Sequence, residues 1–473
     1  MLFNSTEFLV FAAVFFGVLP FLRREANARW AFITFASFVF YGWWDWRFLG
    51  LIVVSGLIDF CVAPVMVAHP QRRKALLLCS LVANLGILFA FKYSGWLLST
   101  VEGIGAAAGY EWTLVENLPA FVRVLPIGIS FYTFQSMSYT IDVYRNRLKP
   151  THNILHFFAY LSMFPQLVAG PIVRASEVMD QLRKPSRIDS ARLLAGLRLI
   201  VVGFFKKTVI ADSLAPFVNS AFSGQLDSMG AISWWAAVSA FACQIYCDFS
   251  GYSDIARGLA KWMGLDFGLN FNHPYISTSL REFWSRWHIS LSTWFRDYVY
   301  VPLGGSRVRP LRAYFNVWCT MLLSGLWHGA AWHFVAWGAL HAALLTLERV
   351  FRPPDWLARF RLTVVVAFVL TLVQVLVTWV FFRAENIGQA IAVVGTMFNP
   401  MAIHRWELRR VTEILPFLAI LAAWELKVFS EVKFGLGLSA AWRQRLEPVV
   451  LGLFFLACLY FRGSGTEFIY FQF

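Results

Sequence analysis

The sequence predicts an all-α polytopic membrane protein, and three observations carry that prediction. Of the 473 residues, 58% are hydrophobic and only 14% are charged, where a soluble domain is closer to a quarter charged. Apolar runs long enough for a span, about 20 residues each, recur along the whole chain. Basic residues gather in the short connections between those runs, the pattern that orients helices in a bilayer. Together with a mean hydropathy of +0.59, these features exclude a soluble globular protein.

The candidate spans lie near 7–22, 30–47, 48–68, 75–98, 120–141 and 153–172, then near 193–211, 231–256, 313–348, 362–382, 411–430 and 446–462. Met1 to Pro20 lacks a basic n-region and a small-residue cleavage pattern, and Arg23, Arg24 and Arg29 come after it. It therefore reads as a retained first span, not a removed signal peptide. Arg72, Arg73 and Lys74 fill the connection at 69–74, whereas 99–119 holds Glu102, Glu111 and Glu116 and no Lys or Arg. Alternation puts the N-terminus outside and the basic loops, including Arg145, Arg147 and Lys149, in the cytoplasm.

Two stretches disturb that alternation. Residues 174–207 are basic again, which a complete crossing at 153–172 would leave on the outer side. The sequence Phe164-Pro165-Gln166-Leu167-Val168-Ala169-Gly170-Pro171 points instead to a re-entrant segment or one that stops part-way, because Pro and Gly at membrane depth are tolerated where backbone lines a protein cavity. Residues 257–312 are basic yet rich in Trp, Phe and Tyr, a composition suited to amphipathic or half-inserted helices at the cytoplasmic face. Within them, Thr278 or Ser279 ahead of Glu282 forms a capping-box pattern, and Pro302-Leu303-Gly304-Gly305 ends the helical pattern. The 313–348 run suits one tilted helix or a tight pair, with Gly325, Gly329 and Gly338 as the candidate breaks.

The net charge of +14 would raise nucleic-acid binding in a soluble protein. Here no basic stripe with interleaved stacking aromatics stands out, so no nucleic acid is expected. The positive loops suit anionic lipid or an anionic cytosolic cofactor. Cys243 and Cys247 share a helix face but lack a second pair, so the six cysteines read as small buried hydrophobes and no metal site is expected. Phosphate-binding glycine loops, paired glycosidase carboxylates and a Gly-x-Ser-x-Gly elbow are all missing, which argues against nucleotide hydrolysis and serine hydrolysis.

Chemistry concentrates in 282–341. His328 in Gly325-Leu326-Trp327-His328-Gly329-Ala330 lies between apolar flanks, and an ionisable residue at membrane depth is a functional candidate by default. A neutral imidazole there is a competent general base for a hydroxyl attacking a thioester, and a structural histidine bonded to a neighbouring helix is equally compatible with its position. His288, in Arg286-Trp287-His288-Ile289-Ser290, reads on its own as an interfacial anchor. On a continuous helix, neither His333 nor His341 would share the face of His328, and no His-Glu-x-x-His pattern occurs. Asp248 and Asp254 interrupt an apolar run and need partners, Arg257 or Arg281, or a catalytic histidine to orient. Gln135, Ser136, Tyr139 and Asp142 suit either a cavity lining or helix–helix hydrogen bonds.

These blocks give the chain a resemblance. It is similar to the membrane-bound O-acyltransferase family, and most resembles the branch containing the membrane subunit of alginate O-acetylation. The likeness rests on Leu125 to Tyr132, Phe164 to Pro171, Asp248 to Asp254, Asn272-His273-Pro274-Tyr275-Ile276-Ser277, Glu282 to Gly305, Gly325 to Ala330 and the terminal Glu467 to Phe473, in order across nearly the whole chain. One departure is Ala331, where the familiar Trp-His-Gly-Ala motif continues with Asn.

The resemblance implies one domain over 1–473, with about eleven spans of membrane-crossing length in a ring around a central funnel. It assigns catalysis to His328, with His288 as helper. It also implies acetyl-CoA as the cytoplasmic donor, a periplasmic acetyltransferase or esterase-like partner protein, a polysaccharide acceptor and a bacterial inner-membrane location. Arg281, Arg286 and Arg296 would attract the donor phosphates, with Trp287 and Trp327 as further donor contacts. A covalent acetyl-enzyme on His328 is a less direct route. The alternative class is a transporter or channel without acyl chemistry, although the paired broken-helix repeats of many transporters are missing.

Overall fold

Backbone polar groups in a bilayer must be satisfied within the segment itself, which a helix does. The computed structural model is helical accordingly. It describes residues 1–225, 229–351, 360–403, 411–437, 440–461, 468 and 469, and among these every regular element is a helix. Of the terminal block Glu467 to Phe473, only Phe468 and Ile469 are among the described residues.

The early apolar runs become α1 (Thr6–Val18), α2 (Ala26–Asp45), α3 (Leu49–Ala68), α4 (Arg73–Leu88), α5 (Ser94–Ala107) and α6 (Ile129–Tyr144). A π-helical turn at Phe89–Tyr93 joins α4 to α5. The run at 120–141 turns helical only at Ile129, because Pro126 and a left-handed Gly128 (φ 75°) precede it. Gly128 also lets two of the quoted blocks meet, since a Cβ there would stand 2.7 Å from the Leu167 carbonyl oxygen.

The stretch at 153–172 does not cross as one helix. It forms α7 (Ile154–Leu161) and α8 (Phe164–Leu167). Eight residues rise about 12 Å, far short of a hydrocarbon core of about 30 Å. Asn153 caps α7 by accepting from the Leu155 and His156 amides at 2.9 and 3.1 Å.

Next come α9 (Ala175–Arg183), α10 (Ser190–Phe204), a π-helical stretch at Phe205–Ala211, α11 (Asp212–Phe222) and α12 (Ala231–Met263). The last of these is seven residues longer than the apolar run 231–256. The basic, aromatic region then breaks into α13 (Leu280–Arg286), α14 (Ile289–Phe295) and a π-helical turn at Arg296–Tyr300. It is followed by α15 (Pro310–His328), α16 (Trp332–Val350), α17 (Arg361–Arg383), α18 (Ile387–Met397), α19 (Leu415–Phe434) and α20 (Ala440–Phe461).

Among the described residues, three helical stretches are long and apolar enough to cross a membrane by themselves: Ala26–Ala68, Pro70–Ala107 and Arg361–Arg383. They are fewer than the apolar runs for a physical reason. The other runs are broken into short helices or carry polar residues such as Lys206, Asp248, Asn316 and His328.

The chain groups into two compact units, residues 1–200 with 255–268 and residues 201–254 with 269–473. In the first, Phe164 is ringed by Phe8, Phe11, Phe15 and Phe40 at 5.0 to 6.4 Å. Asp59 on α3 is fully buried and accepts from the hydroxyls of Ser80 and Ser136 and from the Asn84 amide at 3.1 Å. Those donors sit on α4 and α6, so Ser136 serves helix–helix hydrogen bonding. Tyr139 likewise accepts from the Thr151 amide.

In the second unit, Asp248 pairs with Lys207 at 2.8 Å and Asp254 with Lys206 at 2.7 Å. Gly251, between the two carboxylates, lets α12 come close, as a Cβ there would stand 2.7 Å from the Gly203 carbonyl oxygen. The 313–348 run is a tight pair, α15 and α16, broken at 329–331. Gly325 and Gly338 are not the break. They lie inside the two helices, where a Cβ on Gly325 would collide with the Phe334 carbonyl and one on Gly338 would stand 2.5 Å from the Met321 carbonyl oxygen.

Overpacking a close contact of this kind costs about 1–3 kcal/mol. Gly338→Val is therefore expected to lower the thermal midpoint of the detergent-solubilised protein. Gly86→Ala, at a helical glycine with open space around it, is expected to leave that midpoint unchanged or raise it slightly.

Candidate active site

Residues of the second unit alone build the site. His328 is the last residue of α15, and Gly329 follows it in extended conformation (φ −162°, ψ 151°). A side chain at 329 would strike the Phe334 ring, so glycine here lets α16 fold back directly over the histidine. The His328 ring is 4% exposed and lies edge-on to Trp327, Trp337 and Phe382 at 5.1, 5.1 and 5.2 Å.

His288 reaches the same cluster from the short helices. It is the N-cap of α14 and, among the described residues, one of three non-glycine residues with positive φ, at 42°. Its ring is fully buried, edge-on to Phe249 at 4.6 Å and to Trp327 at 5.9 Å. Trp327 therefore touches both histidines, and the tryptophan preceding one of them lies between the two rings.

The hydrogen bonds around His288 fix its tautomer. Nδ1 accepts from the Leu291 amide at 3.4 Å, so the proton of the neutral ring is assigned to Nε2. His288 thus offers an N–H donor. Asn270 holds the surrounding turn: its side-chain oxygen accepts from the Ser290 amide at 3.2 Å and the Ser290 hydroxyl at 2.9 Å, and its carbonyl accepts from the Ile289 amide at 2.8 Å. Its amide donates to Ser253 on α12 at 3.1 Å. Nothing in the periodicity of the sequence marks Asn270, because its work is long-range.

The tryptophans assigned to the donor are both buried. Trp287 stacks on Phe283 at 5.6 Å and meets Trp379 at 4.9 Å, and Trp379 stacks on Trp337 at 6.1 Å. The result is an aromatic wall running from Trp287 to His328. Trp337, Trp379 and Phe382 are members the sequence reading did not single out. His341 also joins, 4.7 Å from Trp337; on one continuous helix it would lie off the His328 face, but α15 and α16 are a folded-back pair.

The arginines sit differently. Arg281 and Arg296 are exposed, and Arg296 is bonded to the adjacent Asp297 at 2.7 Å. Arg286 pairs with Glu282 at 3.1 Å and donates to the Asn272 carbonyl at 3.0 Å. A phosphate at Arg286 or Arg296 would share the guanidinium with these partners.

Glu282 anchors the short helices. Ser279 accepts from the Glu282 amide at 3.0 Å, and the Glu282 carboxylate accepts from the amide and hydroxyl of Thr278, both at 2.9 Å. It also pairs with Lys433 of α19 at 2.7 Å. The predicted capping pattern is present, with Ser279 as cap and the return bonds going to Thr278.

Burial alone would raise the Glu282 pKa, but the donors from Lys433 and Thr278 outweigh it and hold the carboxyl below its ordinary 4.5. A depressed folded-state pKa gives stability that is full above the unfolded value and lost as pH falls through the folded one. The thermal midpoint is expected to drop as pH falls below about 4.5, and Glu282→Gln should flatten that acid-side slope.

The chain's likeness to known proteins agrees with this geometry. A model of MBOAT, the membrane-bound O-acyltransferase family, matches residues 128–387. The chain is 40% identical to a probable alginate O-acetylase of Azotobacter vinelandii over 407 residues, 84% of this chain and 78% of that one. It is 33% identical to a peptidoglycan O-acetyltransferase of Helicobacter pylori, covering 84% of this chain and 80% of the relative. A teichoic acid D-alanyltransferase of Bacillus subtilis matches at 31% over 267 residues, 52% of this chain and 65% of that protein.

Proposed function

Because the chain belongs to the membrane-bound O-acyltransferase family, we propose that this membrane O-acyltransferase moves an acetyl group from acetyl-CoA in the cytoplasm to a hydroxyl of an extracytoplasmic polysaccharide. A periplasmic acetyltransferase or esterase-like partner hands the group on, and alginate is the acceptor class that the 40% identical relative suggests. The enzyme works as one domain over 1–473, with about eleven spans of membrane-crossing length in a ring around the reaction centre, in a bacterial inner membrane. Membership of an acyltransferase family sets aside the transporter reading.

The observation that carries the mechanism is the pair of buried histidines bridged by Trp327. His328 takes the proton of the acceptor hydroxyl as its oxygen bonds to the thioester carbon. The carbonyl oxygen becomes an oxyanion, and the His288 Nε2–H, set by the Leu291 amide on Nδ1, donates to it. Collapse breaks the C–S bond and releases the thiolate. Water exclusion by the aromatic wall strengthens both interactions. Arg281, Arg286 and Arg296 attract the donor phosphates at the cytoplasmic mouth.

His328→Ala, inserted at normal levels, is expected to lower ester formation from labelled acetyl-CoA by about 10²–10⁴-fold, the usual worth of a general base. Unchanged acetylation would overturn the assignment. Asn270→Ala should cost about 10²-fold in kcat, the scale of a misplaced catalytic group, with KM for the donor little changed in steady-state assays.

A further inference from the structure

His341 is the third histidine that the fold draws into the aromatic cluster, and no step above uses it. It is 1% exposed, and Trp337 beside it is fully buried. Three rings meet there pairwise. His341 lies 4.7 Å from Trp337 and 5.1 Å from Trp284, and the two indoles lie 5.8 Å apart. Phe283 covers the imidazole face, stacked at 6.5 Å. These contacts join α13, which carries Phe283 and Trp284, to α16. The Leu280 amide ties the same two helices by donating to Glu348 at 2.7 Å.

Each of the three rings keeps a buried polar atom that bonds to nothing among the described residues: His341 Nδ1 and the indole nitrogens of Trp284 and Trp337. Buried polar groups are normally hydrogen-bonded, and each exception calls for an explanation. An indole offers only a donor, whereas a neutral imidazole offers one donor and one acceptor. With its proton on Nε2, His341 completes a set of two donors and one acceptor. A secondary amide is the complement, with one N–H and a carbonyl oxygen bearing two lone pairs. A hydroxyl has the same count, so position decides between them.

Position favours an amide of the acyl donor. α13 also carries Arg281 and Arg286, on either side of Trp284 in sequence. At the other end of the trio, Trp337 touches the His328 ring at 5.1 Å. The protein therefore presents arginines, then the indole and imidazole groups, then the catalytic histidine. Acetyl-CoA has the same order of phosphates, pantetheine amides and thioester, and its nearest amide nitrogen is two methylenes from the sulfur. One ring, that of Trp337, separates His341 from His328.

We propose that His341, Trp284 and Trp337 form the subsite for the pantetheine amide next to the thioester. His341 Nδ1 accepts the amide N–H, and the two indole N–H groups donate to its carbonyl oxygen. The assignment rests on the acyl-transfer reading and deepens it by naming the part of the donor that the centre recognises. Two methylenes then tether the sulfur to a fixed point beside His328, which holds the thioester carbon where the acceptor oxygen attacks.

The test uses membrane vesicles carrying the complete acetylation system and three small acetyl donors of equal chain length. S,N-diacetylcysteamine contains the amide. S-(2-acetoxyethyl) thioacetate replaces the N–H with an ester oxygen and keeps the carbonyl. S-pentyl thioacetate has neither. Wild type should favour the amide over the ester by about tenfold in kcat/KM, the scale of one buried hydrogen bond, and the ester over the pentyl donor by a similar factor. His341→Phe, which keeps a ring in place, should abolish the first preference and keep the second. Trp284→Phe should weaken the second and keep the first. Each readout is a ratio between two donors on one preparation, so a loss of folded protein does not move it.

A wild type that treats the three donors alike, or preferences unchanged in His341→Phe, would overturn the proposal. A raised KM for the acceptor with unchanged donor preferences would give the subsite to an acceptor hydroxyl and overturn it equally. If wild type turns over acetyl-CoA but none of the small donors, they are compared as inhibitors of that turnover. Inhibition in the order amide, ester, pentyl, with the first step lost in His341→Phe, supports the subsite, and equal inhibition by all three overturns it. Wild-type vesicles that form no ester from acetyl-CoA would instead overturn the acyl-transfer reading itself.

Discussion

The close approach of α15 and α16 is the constraint on which the site depends. Gly325 and Gly338 remove the side chains that would hold the two helices apart, and Gly329 removes the one that would strike the Phe334 ring. Only then can Trp337 and Phe382 close on the His328 ring from two different helices. A histidine at a helix end in lipid would otherwise meet hydrocarbon or water, and neither gives it an oriented, water-poor setting. The aromatic wall supplies that setting with rings whose packing is directional, so His328 is held by contacts on several sides.

Polar groups elsewhere follow the same logic of satisfaction at short range. Asp59 is surrounded by hydroxyls and an amide, whereas Asp248 and Asp254 meet consecutive lysines. The lysines come from a π-helical stretch, Phe205–Ala211, a local geometry that often accompanies functional or strained sites. Asp248 also accepts from the Ile469 amide at 2.7 Å, which fixes a residue of the terminal block against α12. The Asp248 to Asp254 block therefore ties α12 to Phe205–Ala211.

Local features were legible in the sequence, and long-range ones were not. The Ser279–Glu282 cap, the end of helix near Pro302, the interruption at 153–172 and the break near Gly329 all depend on residues within one or two turns of each other, and each is present. The lysine partners of Asp248 and Asp254 are not marked in the sequence, where nearness along the chain points to Arg257 and Arg281. Lys206 and Lys207 are more than forty residues from Asp248 and Asp254. Asn270 and Glu425 escaped for the same reason: an Asn in an irregular stretch and a Glu in an apolar helix declare nothing until the partner chain segment folds onto them.

The two strained histidines gain meaning when set against each other. A left-handed residue with a bulky side chain carries a conformational cost, and Asn or Gly would meet the turn geometry more cheaply. His273 and His288 nonetheless bear imidazoles at those turns, one on each side of the 270–289 segment, and their neighbours give them opposite proton placements. The backbone amide of Leu291 makes His288 an N–H donor, suited to an oxyanion. The Glu425 carboxylate makes His273 a donor at Nδ1. Charge stabilisation at oxygen needs an N–H aimed at the developing oxyanion, and of the two turns it is the His288 one whose neighbours put the proton on Nε2 for that purpose within the aromatic cluster around Trp327.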